Sequence, residues 1–123
     1  IMEFFPEENR DNVRVQLAAN IEAVICQRLI PRASGIGMIP AVEIMLGSPM
    51  VRKLIRENQL SKLKDAIETS GDIGMQTFNQ SLCKLVKSNL ITKDVAMNVS
   101  PNPEALKMNL QGIFLDESRR ILG

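Results

Sequence analysis

The apolar positions of this chain fall into blocks of different period. After Pro6, Val13, Leu17, Ile21, Val24 and Ile25 recur at helical spacing, and Glu7, Glu8 and Asp11 put negative charge where a helix start favours it. The stripe predicts a helix of roughly four to five turns packed by one face against a sheet. The pattern then changes in QRLIPRASGIGMIPAVEIML, residues 27–46. Two apolar segments flank ASGIG, whose glycines permit a tight reversal, so a hairpin is expected with strands near 27–32 and 38–46. Pro31 and Pro40 cannot donate to a ladder, which places both strands at an edge or near irregular pairing.

From residue 48 onward the pattern is helical. In SPMVRKLIRE, Ser48 can cap and Pro49 suits the first helical position, predicting a helix over 48–57. Val51, Leu54 and Ile55 fall on one side of it, and Arg52, Lys53 and Arg56 on another. Leu60, Leu63 and Ile67 form the next stripe, with Lys62 and Asp65 left for solvent, and Gly71 and Gly74 break it. Met75, Phe78, Leu82, Leu85 and Val86 then mark a core helix that stops near Asn89. Thr92 caps a short helix ended by Pro101, and Asn102 with Pro103 opens one through EALKMNLQ. Residues 112–123 are apolar enough to dock but show no clear period. The expected fold is mainly α with a short β-hairpin.

Composition narrows the function. The chain has 123 residues, the size of one domain or a piece of a larger one, and is 45% hydrophobic with only 3% aromatics, so its core is aliphatic. A net charge of +1, from 15 basic and 14 acidic residues, gives no basic excess, and nucleic acid is not an expected partner. With no histidine, His-based triads and His-ligated metals are excluded. Cys26 and Cys83 lie far apart with no CxxC spacing, which argues against zinc and for buried free thiols in a cytosolic protein. There is no membrane-length apolar run and no signal-peptide pattern. Ile1 in first place, and the interior character of IMEFFPEE, point to a segment of a longer protein.

The residues offer no catalytic constellation and no metal site. Gly35 and Gly37 lack the spacing and the Gly-Lys-Ser/Thr of a P-loop, which occurs nowhere in the chain. Glu43, in PAVEIML, is either a paired edge charge or a group that points at a partner. The basic helix is the best candidate site. It is either a solvated face with a routine Lys53–Glu57 pair or a surface for an acidic partner or a neighbouring subunit.

Three blocks, RVQLAANIEAVICQRLIPR, IPAVEIMLGSPMVRKLIRE and GMQTFNQSLCKLV, resemble in order and spacing the C-terminal part of the twitching-motility (PilT-type) ATPases of the secretion ATPase family. The likeness covers roughly residues 1–110. SPMVRKLIRE resembles that family's AIRNLIRE signature: Pro49, Arg52, Leu54, Ile55, Arg56 and Glu57 match, while Met50, Val51 and Lys53 replace Ala, Ile and Asn. The single cysteine in ICQRLIPRASGIG departs from the paired CxxC insertion of pilus-assembly ATPases, so the retraction branch is the better match.

The resemblance implies a hexameric parent that retracts type IV pili with ATP and Mg, works in the cytoplasm at the inner-membrane pilus machinery, and carries its P-loop upstream of Ile1. Residues 1–47 would be the closing helix and strands of a RecA-like P-loop NTPase core, residues 48–110 a helical C-terminal subdomain, and residues 111–123 a tail. The segment itself would bind no cofactor and be inactive alone. Pro49, Arg52, Lys53, Leu54, Ile55, Arg56 and Glu57 would form a motor-coupling motif. The alternative is a stand-alone helical adaptor that binds an acidic protein through the Arg52/Arg56 face.

Overall fold

The computed structural model describes the backbone of residues 9–122 and the side chains of residues 9–112. Helix α1 (Arg10–Asn20) leads into strand β1 (Ala23–Pro31), a glycine turn and strand β2 (Met38–Leu46). Helices α2 (Pro49–Arg56), α3 (Leu63–Thr69), α4 (Phe78–Lys87), α5 (Lys93–Val99) and α6 (Pro103–Leu122) follow. β1 and β2 form a two-stranded sheet. Arg32 pairs with Gly37 at the turn and Glu22 with Gly47 at the open end, so the register runs without a slip. Gly35 and Gly37 sit at φ +79° and +78°, the left-handed backbone that the tight turn requires.

The chain forms two compact units. Among the described residues the first holds 9–25 and 44–76, the second 26–43 and 77–122. The first packs α1 against α2 around Ala18, Ile21, Val51, Ile55, Ile67 and Met75, with Leu17, Met45, Leu46 and Leu63 at the margin. The second packs α4 against α6 around Ile30, Ala41, Leu82, Ile91, Ala96, Leu106 and Leu110. Both cores are aliphatic. Two buried polar side chains, Ser81 and Asn79, tie the second unit together. The Val42 N–H donates to Ser81 Oγ at 3.0 Å. Asn79, 4% exposed, accepts from Ser100 Oγ at 2.6 Å and donates to the Asn102 carbonyl at 3.2 Å, which fixes the α5–α6 link.

Several elements differ from the sequence expectation. α1 stops at Asn20, after three turns, and the Ile21 backbone is extended. The β-branched pair Val24 and Ile25 favours a strand, so both belong to β1, which starts at Ala23 and not near 27. Pro6, Glu7 and Glu8, which opened the predicted helix, lie outside the described residues. Leu60 sits in a 3-10 turn and is exposed, so the Leu60–Ile67 stripe is one helical turn shorter than its spacing suggests. Met75 precedes α4 and belongs to the first core, because Gln76 bridges to Ile44 and Thr77 begins the next helix. The backbone of the expected tail is helical to Leu122; Leu, Asp, Glu and Arg are ordinary helix residues, and Gly112 costs only about 1 kcal/mol. Both cysteines are free, but only Cys83 is buried, which pushes its thiol pKa up; Cys26, on β1, is exposed.

Candidate functional site

The sequence of α2 builds its own ends. Ser48 Oγ accepts the Val51 N–H at 3.2 Å, and Pro49 follows at a position that needs no donor. At the other end Asn58 takes φ +58°. Its N–H meets the Ile55 carbonyl at 3.1 Å, and the Gln59 N–H meets that of Leu54 at 2.8 Å. This pair of bonds is a Schellman stop, with asparagine in the left-handed place usually taken by glycine. Val51, Leu54 and Ile55 are buried at 0%, 6% and 3% exposure, which settles one face of the helix.

The cations divide. Lys53 and Arg56 are exposed and form no ion pair with another described residue; in particular, no salt bridge joins Lys53 to Glu57. Arg52 is not part of an open basic face. Its Nε donates to the Gly47 carbonyl at 2.8 Å, Nη1 to that of Ala19 at 3.0 Å, and Nη2 to that of Ile21 at 2.9 Å. Ala19 lies in the last turn of α1 and Ile21 caps it. The guanidinium therefore satisfies carbonyls that the helix cannot, at the end where its dipole is negative. Glu22 lies 3.8 Å away but is 90% exposed, so it adds little. Gly47 makes this approach possible, because a Cβ there would run into the Ile21 carbonyl oxygen.

The helical wheel grouped Arg52 with Lys53 and Arg56 by angle alone. It missed the acceptors because two of them, Ala19 and Ile21, lie about thirty residues earlier in the chain. The adaptor surface expected of Arg52 and Arg56 thus loses one of its two arginines to the fold. Pro49 and Glu57 mark the ends of the motif, as first helical residue and C-cap.

Glu43, the other acid singled out by the sequence, is half-buried on β2. It lines a cleft of about 580 Å³ in the second unit with Arg28, Phe78, Asn98 and Ser100. Arg28 Nη1 donates to the Val99 carbonyl at 3.3 Å. Among the described residues there is no group of metal-ligating side chains, and no helix is long and apolar enough to cross a membrane.

Known proteins resemble the chain over most of its length. It is 38% identical over 104 residues to the type IV pilus retraction ATPase PilT of Pseudomonas aeruginosa, a match that covers 85% of this chain and 30% of that protein. A twitching motility protein of Neisseria gonorrhoeae is 36% identical over 106 residues, covering 86% of this chain and 28% of the relative. The solved structure of the pilus retraction motor PilT with bound ADP superposes with a TM-score of 0.76 at 36% identity, over 88% of this chain and 29% of that one. No family model matches. The chain thus spans under a third of the length of these relatives. Similarity in sequence and in fold coincides over the same stretch, and over that stretch the chain is a homologue of part of the PilT-type proteins.

Proposed function

We propose that residues 1–123 are the C-terminal part of a hexameric motor ATPase that retracts type IV pili and drives twitching motility. Residues 1–47 close a RecA-like P-loop core, residues 48–110 form the helical C-terminal subdomain, and the rest extends its last helix. ATP and Mg act in the parent, where P-loop electrostatics stabilise the transferring phosphoryl group. Residues 1–123 alone, with no P-loop, hydrolyse no ATP. The parent assembles with itself as a ring and works on the cytoplasmic side of the inner membrane, against the pilus machinery.

Within this segment the role of Pro49, Arg52, Lys53, Leu54, Ile55, Arg56 and Glu57 is to couple the ATPase cycle to motion. The observation that carries the reading is the split of α2 into an anchored side and an exposed cationic side, within a chain similar to retraction ATPases. Val51, Leu54 and Ile55 seat the helix, and Lys53 and Arg56 are left for a neighbouring subunit or the machine. The test is Lys53→Ala with Arg56→Ala in the full-length protein. Both side chains are exposed, so the variant folds and ATP turnover persists while pilus retraction stops. Retraction at the wild-type rate would sink the coupling role.

A further inference from the structure

We propose that Arg52 is a positioning residue: its guanidinium, seated on the carbonyls of Ala19, Ile21 and Gly47, fixes α2 against the end of α1 and so sets the direction in which Lys53 and Arg56 meet a partner. The consequence for motion rests on the coupling role proposed above; the clamp itself rests on geometry alone.

Two independent features build the clamp. The first is the set of three bonds, at 2.8, 2.9 and 3.0 Å, to carbonyls on two separate pieces of backbone, the end of α1 and the β2–α2 link. The second is Gly47, the only residue type that lets the β2–α2 link come this close to the Ile21 carbonyl. Apolar burial of Val51 and Ile55 holds α2 down, but it has no direction and would tolerate a roll or slide of the helix. Hydrogen bonds weaken steeply off axis, so three of them to one planar group fix both angle and register. No carboxylate is needed, because the end of α1 already carries negative charge. Arg56 lies one turn beyond Arg52 on the same helix, so an error in the seat of α2 is passed on to it.

The experiment compares Arg52→Gln, Arg52→Lys and Arg56→Gln in the full-length protein, by amide hydrogen exchange and pilus retraction. The Ile21 and Gly47 amides, bonded to the Leu17 and Glu22 carbonyls, report the clamp. The Leu90 amide, bonded to the Leu85 carbonyl in the second unit, reports general loosening. Arg52→Gln should speed exchange at Ile21 and Gly47 by about tenfold or more and leave Leu90 unchanged. Arg52→Lys should behave the same way, because one ammonium cannot span three carbonyls. Both should lose retraction, whereas Arg56→Gln should lose retraction with exchange unaltered. Unchanged exchange in Arg52→Gln, equal acceleration at Leu90, or full rescue by lysine would each overturn the clamp. Normal retraction in Arg56→Gln with faster exchange in Arg52→Gln would overturn the coupling role and leave the clamp standing.

Discussion

At the scale of single residues, chemistry that looks alike in sequence is spent in different ways. Arg52 and Arg56 are four apart and share a motif, yet one is bound by backbone and the other is exposed. Residue type and helical angle made the cationic cluster legible. They could not show that one member has tertiary acceptors, since helix ends advertise free carbonyls only once their neighbours are known. Gly47 is the complementary case. In sequence it marks only the end of a strand, but in the fold its missing Cβ leaves room for the Ile21 carbonyl. Gly47→Ala must push backbone against backbone, with no flexible side chain to give way. We expect a loss of about 1–3 kcal/mol, comparable to overpacking a core, read from the shift of a urea unfolding midpoint at unchanged slope. A variant as stable as wild type would mean that the link has slack and that the close approach is not required.

At the scale of elements, helix ends were more legible than helix lengths. Ser48, Thr92 and Asn102 all cap where their residue types predict, each accepting an N–H three residues on, at 3.2 Å. Asn89 stops α4 at φ +60°, with the Leu90 N–H returning to Leu85 at 3.0 Å, the same Schellman stop as at Asn58. These signals are local and so survive in sequence. The end of α1 was not legible, because Ile21, Val24 and Ile25 continue a helical spacing by chance while the backbone turns extended. The capping box of α4 was overlooked: Thr77 Oγ1 accepts from Gln80, and Gln80 Oε1 accepts from Thr77, at 3.1 and 2.9 Å. The signal was there in T-x-x-Q, hidden because Met75 extended the apolar stripe past the true start. Thr77→Ala, at a residue 4% exposed, removes one half of that box and should cost about 1 kcal/mol, visible as a lower melting temperature. An unchanged melting temperature would show that tertiary packing, not the box, sets the start of α4.

At the scale of the whole molecule, the hairpin carries the clearest sign of a larger context. The two core clusters could not be read off the chain order, since each is assembled from two separated stretches of sequence. A hairpin could be read, but not how exposed it would be. β1 has one buried residue in nine, Ile30, while Val24, Ile25 and Leu29 are 40%, 65% and 55% exposed. Among the described residues only β2 pairs with it. Natural edge strands are usually short, charged or bulged, because an open row of N–H and C=O groups invites pairing. β1 is long, apolar and carries one charge, Arg28. Such a strand is suited to the interior of a sheet, which is what the proposed parent supplies: if residues 1–47 close a RecA-like core, a strand from the rest of that polypeptide lies against β1. Hydrogen exchange measured on residues 1–123 and on the full-length protein separates the cases. Amides of β1 that do not face β2 should exchange freely in the first and slow by about tenfold or more in the second, as they enter a ladder. The β2-facing amides serve as the internal reference, since their partner is present in both. If the outward amides exchange equally fast in the longer protein, the hairpin ends the sheet, and residues 1–47 do not close the core in the way proposed.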